Sequence, residues 1–334
     1  MTTLELLLAG VLMASLNLYA LGAGADFGGG VWDMLASGPR ERAQRDAVAH
    51  AIGPIWEANH VWLILVIVVL FVAFPAAFAA LATALHIPLT LMLVGIVLRG
   101  SAFAFRSYGG DDDATQRRWG RTFAMASVVT PVMLGACAGA VASGAIRVRD
   151  GRVTTGFIVA WLAPFPFAIG FFTLALFAFL AAVYLTLEAD DRELRDDFRR
   201  RALAAAVAVG AMALVSFIFS GTGAPSIRRG LAREWWSIPF QAVTGLAALG
   251  AIGALWTRRF GLARILAMAQ VTLILWGWGL AQFPYLVEPD LTFASAAAPD
   301  SVLRPMVVAL AAGVVLLGPS LAYLYHVFKA PRAH

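Results

Sequence analysis

Long uncharged runs alternate with short charged clusters along the whole chain. A helix that crosses a bilayer needs about 20 mostly apolar residues, and the runs predict nine such helices. They fall at residues 6–25, two within 58–98 with a turn near Phe74-Pro75-Ala76, 122–146, one within 153–187, then 202–227, 235–257, 265–287 and 305–328. Pro164 and Pro166 sit early in the fifth run and mark its start or a kink. The first run has no basic segment before it and no small-residue cleavage site, which predicts a retained helix. Gly28, Gly29 and Gly30 read as a flexible exit from that helix. Residues 188–201 mix acids with arginines and read as a solvated connection between the fifth and sixth helices. The expectation is an all-α integral membrane protein in one polytopic domain. Residues 1–146 hold the first four helices, 153–287 the next four, and 305–334 the ninth helix and a tail.

Composition agrees with this pattern. Of 334 residues, 60% are hydrophobic and 13% charged, against about 25% charged in an ordinary soluble domain. A water-soluble monomer is excluded. The isoelectric point of 9.9 does not indicate nucleic-acid binding, because the arginines lie in clusters between apolar runs. Those clusters orient the chain, since cytoplasmic loops of membrane proteins carry the excess of Lys and Arg. With the N-terminus outside, inner segments hold seventeen basic residues and outer segments seven, leaving out Arg99 at a helix end. The expected topology is N-out and C-in.

Little chemistry is available. Cys137 is the single cysteine, so there is no disulfide frame and no cysteine metal site. No Walker loop, dinucleotide fingerprint or HExxH motif occurs. The informative charges sit at span edges: Asp26 after the first, Glu57 before the second and Arg99 after the third. The predicted topology places all three at one depth on the cytoplasmic side, where they would meet in a partly dry pocket. Ionisable groups inside a membrane are costly and face a bundle interior or a watered path. An arginine beside two acids, one charged and one protonated, is equipment for relaying protons. The bland alternative is that the acids cap helix ends while Arg99 snorkels to headgroups. His60 and His86 are the histidines within the second and third predicted spans. Their depths differ by roughly 15 Å at 1.5 Å per residue, a poor geometry for two ligands of one haem. His60 shares a helical face with Trp56, and His86 is placed to bond backbone groups freed by Pro88.

Several stretches resemble subunit II of cytochrome bd-type quinol oxidases. They are Ala23-Gly24-Ala25-Asp26-Phe27-Gly28, Ile52-Gly53-Pro54-Ile55-Trp56-Glu57-Ala58-Asn59-His60-Val61-Trp62, Arg99-Gly100-Ser101-Ala102-Phe103-Ala104-Phe105-Arg106 and Phe283-Pro284-Tyr285. The form with Glu57 and His60 is more similar to the cyanide-insensitive branch. The resemblance implies two four-helix bundles plus one peripheral helix. It also implies a terminal oxidase that oxidises quinol and reduces oxygen to water with protons from the cytoplasm. Two b-type haems and one d-type haem would be carried by the partner, subunit I. A small single-helix subunit and a structural quinone are further expectations, and no metal site is expected on this chain. Carried over by position, Asp26 and Glu57 match the family's acids on a proton path, and Trp56, Asn59, His60 and Arg99 are the neighbours that shape it. Two departures stand out. The family commonly has a further acid where this chain has Ala23, and aspartate where it has Glu57. Arg42, Asp46 and His50 offer an alternative entrance to the path. The competing reading is a proton-coupled secondary transporter, although no inverted repeat is visible and nine spans divide poorly into two equal halves.

Overall fold

The computed structural model describes residues 1–53, 56–108 and 113–329. Pro54 and Ile55 of the tryptophan-glutamate block, and residues 330–334 of the predicted tail, lie outside the described residues. In chain order the helices begin with α1 (Thr3–Met34), α2 (Glu41–Ile52), α3 (Trp56–Asn59), α4 (Val61–Ala73), α5 (Pro75–Ala84), α6 (His86–Tyr108) and α7 (Asp113–Ala142). A hairpin of β1 (Val148–Arg149) and β2 (Arg152–Val153) leads to α8 (Pro164–Glu188), α9 (Arg192–Gly223), α10 (Pro225–Arg233), α11 (Ser237–Trp256) and α12 (Phe260–Gln282). A second small ladder, β3 (Tyr285–Val287) with β4 (Leu291–Thr292), precedes α13 (Phe293–Ala296) and α14 (Asp300–Lys329). Among the described residues nine helices are long and apolar enough to cross a membrane, with α3 and α4 counted as one. The fold is all-α and multi-pass.

Three boundaries differ from expectation, each for a physical reason. First, α1 does not end near Asp26 but continues to Met34. Gly28, Gly29 and Gly30 are helical and buried, not a flexible exit. Glycine weakens an isolated helix, yet in membranes it lets backbones approach closely. A methyl group at Gly28 would overlap the Phe177 carbonyl oxygen on α8, so this residue sets the α1–α8 distance. Trp32 fixes the same contact by donating its indole N–H to the Ala178 carbonyl at 2.7 Å. Second, most of 188–201 is helix. Asp191 caps α9 by accepting from the Leu194 amide at 2.6 Å, and the charges that follow pair across space, as Arg40 does with Glu193 and Asp197. Third, spans two and three are joined by the ten-residue α5 and not by a tight turn. Phe74 leaves helical geometry with φ −134° and ψ 58° because Pro75 follows it.

The same break recurs in the second half. Ala224, before Pro225, has φ −155° and ψ 65°, and the short α10 follows. The packing repeats as well. α6 packs on α7 as α11 packs on α12, and α1 on α4 as α8 on α9. Across the middle, α1 meets α8 and α12, and α7 meets α8. Spans one to four are thus echoed in the same direction by spans five to eight, a repeat that the residue sequence hides. α14 stays at the edge, touching α1 and α4, with Val308, Val314, Val315 and Leu316 exposed.

Candidate functional site

The first four spans bury a polar cluster in apolar surroundings. Asp26, on the inward face of α1, is 6% exposed, Asn59 at the end of α3 is 2%, and Arg99 on α6 is 1%. Asn59 donates its side-chain N–H to Asp26 Oδ2 at 2.7 Å. Arg99 donates from Nη2 to the Asp26 backbone carbonyl at 2.8 Å. Its guanidinium lies over the rings of Phe27 and Phe123, 4.9 and 5.1 Å from their centroids. A charge that has left water needs such partners, and arginine can use both hydrogen bonds and aromatic faces. Arg99 therefore does not snorkel outward. It is among the largest fully buried side chains.

Two small residues make room for the cluster. A Cβ on Gly22 would come 2.6 Å from Asn59 Oδ1, and one on Gly100 would come 2.7 Å from the Trp56 ring. Trp56 thus lies against the backbone of α6 and stacks edge-on with His60 at 6.2 Å. The His60 ring is also bordered by Tyr19 at 5.8 Å and Phe27 at 6.1 Å. Trp56, Asn59, His60, Asp26 and Arg99 are brought together.

Glu57 is not part of this cluster. Its side chain is exposed, and among the described residues no hydrogen bond or ion pair reaches it. The helical turn that sends Asn59 inward sends its neighbour two positions earlier outward. His86 also differs from expectation, because it opens α6 at the surface instead of lying within the bundle. Its Nδ1 does contact a backbone carbonyl, that of Thr83 at 2.9 Å. Ala23, where the family commonly has a further acid, is fully buried in the apolar core. His50 of the suggested alternative entrance is exposed, with its ring nitrogen on the Asp46 carbonyl at 3.1 Å.

A second pair escaped sequence reasoning. Arg106 Nη1 contacts both carboxylate oxygens of Asp33, at 2.9 and 2.8 Å. Asp33 lies seven residues beyond Asp26 and Arg106 seven beyond Arg99, and both ties join positions 73 apart. Seven residues is two helical turns, so each helix presents both members on one face. α1 and α6 run in the same direction with two rungs between them. The shared spacing of seven was the available clue.

On the opposite side, near the Thr3 end of α1, lies an apolar cavity of about 520 Å³ between α1, α4, α5, α7 and α12. Leu12, Met92, Cys137, Trp278 and Gln282 are among its walls. The Gln282 side-chain oxygen is buried without a hydrogen-bond partner. Among the described residues no group of three or more His, Cys, Asp or Glu is placed to hold a metal ion.

Residues 4–328 match the sequence profile of the cytochrome bd terminal oxidase subunit II family. The chain belongs to that family. This subunit II is 22% identical over 328 residues to a putative cytochrome bd menaquinol oxidase subunit II of Bacillus subtilis, covering 95% of this chain and 93% of the relative. It is 27% identical over 184 residues to the cytochrome bd-I ubiquinol oxidase subunit 2 of Escherichia coli, covering 54% of this chain and 47% of the relative. Its fold matches a chain in the structure of bd oxidase from Geobacillus thermodenitrificans with a TM-score of 0.83 and 22% identity, covering 98% and 99% of the two chains. The chain is therefore subunit II of a respiratory terminal oxidase, a multi-pass protein of the bacterial cytoplasmic (inner) membrane. The transporter reading has no support from any of these relatives.

Proposed function

We propose that this subunit II completes a quinol oxidase by holding part of a proton path against a haem-bearing subunit I. The buried Asp26–Asn59–Arg99 cluster carries this reading, because an apolar bundle gains no stability from burying charge that a hydrophobic replacement would not supply. Glu57, exposed beside the cluster, is the group that gathers a proton at the rim. Asp26 accepts it inside, with Asn59 holding its carboxyl group and Arg99 its backbone carbonyl. Trp56 and His60 close the wall between them. The complex, not this chain alone, reduces oxygen to water with protons drawn from the cytoplasm. The side chains here do not suit haem. His60 is ringed by aromatic groups and His86 stands apart at the other end of α6, so the two b-type haems and the d-type haem belong to subunit I. Spans one to four and five to eight form two four-helix bundles, α14 is the peripheral ninth helix, and the N-terminus is outside with the C-terminus inside. The apolar cavity suits the buried tail of a structural quinone, and the unpaired amide oxygen of Gln282, an acceptor, is matched by the hydroxyl of its reduced, quinol form. The named relatives differ in using menaquinol or ubiquinol.

Oxygen consumption normalised to haem tests the path. Glu57→Gln and Asp26→Asn should each keep the haem spectrum and slow quinol-driven turnover by roughly tenfold or more, as removal of a positioned acid–base group does. Glu57→Asp should be milder. If Glu57→Gln turns over as fast as the parent, Glu57 is not on the path.

A further inference from the structure

At the Met34 end of α1, the loop into α2 and the first turns of α9 enclose a polar cleft of about 290 Å³. Arg40, Gln44, Asp197, Arg200 and Arg201 line it. The acid is already satisfied. Arg40 holds Asp197 through Nε and Nη2 at 2.8 and 2.9 Å, Gln44 donates to it at 3.0 Å, and the remaining arm of Arg40 reaches Glu193 at 2.7 Å. The two other arginines are not. Arg200 comes no nearer to Asp197 than 3.5 Å, with its side chain 70% exposed. Arg201 makes no salt bridge among the described residues. It is instead fixed by the Leu35 carbonyl at 3.1 Å and Gln44 Oε1 at 2.6 Å, and it lies over the rings of Trp32 and Phe198. A cleft of this size therefore presents two adjacent guanidinium groups, one of them held rigidly, that lack full counter-charge.

Depth identifies the ligand. Arg200 and Arg201 are the last charges on α9, and residues 202–223 carry none. Met34 and Leu35, next to the cleft, are 45% and 50% exposed. The cleft thus opens where polar surface gives way to the apolar girdle. We propose that it binds the phosphate of an anionic phospholipid, with the acyl chains lying along α9, where Ala204, Val207 and Ala208 are exposed in line with Arg200. Guanidinium forks match phosphate oxygens in geometry and charge, and basic residues at this level attract anionic headgroups. A free phosphate ion would use the same donors, but it would gain nothing from the adjoining apolar surface.

The test uses the intact oxidase as purified in mild detergent and stripped of loose lipid. Native mass spectrometry counts bound lipid after adding phosphatidylglycerol or phosphatidylcholine, with and without inorganic phosphate. The parent should retain phosphatidylglycerol in preference to phosphatidylcholine. Arg200→Gln should weaken that retention by about tenfold, the loss of one charge-assisted contact. Arg201→Lys, which keeps the charge but loses the fork, should also weaken it in a fully assembled complex. Arg229→Gln, on α10 at the other end of the helices, should change nothing. Equal retention by parent and Arg200→Gln overturns the site, as does equal uptake of the two lipids. Displacement of phosphatidylglycerol by an equal concentration of inorganic phosphate would assign the cleft to the free ion and reject the lipid.

Discussion

Spans one to four and spans five to eight share their helix pairing and their proline breaks but not their interiors. The first half buries Asp26, Asp33, Asn59 and Arg99. The second half buries alanine, glycine, leucine and phenylalanine, with Thr186, Ser216, Ser220, Ser237, Gln270 and Gln282 as the polar exceptions among its described helices and no carboxylate or guanidinium. One scaffold therefore supports two uses. Where packing alone is needed, small and branched side chains suffice. Where charge is placed inside, every charged group receives a specific partner, and glycines such as Gly22 and Gly100 surrender volume to the polar side chains. The second half keeps the same helix pairing without buried charge, which supports the proposed proton path in the first.

The largest effect should follow from breaking the charged interior. Arg99→Met leaves the Asp26 carboxyl and carbonyl groups buried without their cation. Loss of one member of a buried pair costs about 3–5 kcal/mol, enough to deplete assembled complex. Gln270→Leu, a buried polar-to-apolar change in the other half, should cost under about 1.5 kcal/mol. Melting temperature and yield of purified complex read both, and equal losses would erase the distinction between the halves. A smaller effect is expected at the seam between them. Gly28→Ala forces a methyl group against the Phe177 carbonyl and should cost about 1–3 kcal/mol through overpacking. Gly210→Ala, where a Cβ meets open space, should be neutral or slightly stabilising. A neutral Gly28→Ala would mean that α1 and α8 can part without penalty.

The smallest effect concerns the loops that close each half. Arg147, after α7, pairs with Asp290, after α12, at 2.9 Å, and Asp290 also accepts from the Val148 amide at 2.7 Å. The hydrogen bond from Arg147 holds the Asp290 carboxyl below its ordinary value, which is about 3.9 in an unfolded chain. Its contribution is then fully present above that value and is lost as pH falls through the lower folded value. Hydrogen exchange at Val148 should be faster in Asp290→Asn than in the parent at pH 5 to 7. The two should converge in strong acid. A difference that persists in strong acid would mean that the carboxylate charge is not what ties the loops.

Much of this was readable beforehand, because a bilayer imposes one length on every crossing helix and the apolar runs of the chain have that length. Asp26 and Arg99 were also readable, since charge at the margin of an apolar run is costly enough to need a reason, and Asn59 came from the resemblance alone. Two of the boundary errors share one cause. Charge along a chain reads as the end of a span, and it stops meaning that only when its partner is known. α1 extends eight residues beyond Asp26 because Asp33 is answered by Arg106. The head of α9 is helical because its acids meet Arg40. These partners are distant in sequence, and no local pattern announces them. Glu57 was misplaced for the opposite reason. Its position at the head of a span was right, but which way it faces depends on a turn that hydropathy does not resolve.

The two rungs between α1 and α6 have a mechanical consequence. A single tie would let one helix pivot about it. Two ties of equal spacing, about 10.5 Å apart at 1.5 Å per residue, fix both the height and the rotation of α6 relative to α1. They work as a pair of dowels. If α6 slid by one turn, about 5.4 Å, Arg99 and Arg106 would leave their seats together, and neither would find an acid at the new height. Gradual sliding is therefore denied to this pair of helices, and the proposed proton path is built on a pair whose register is held at two heights.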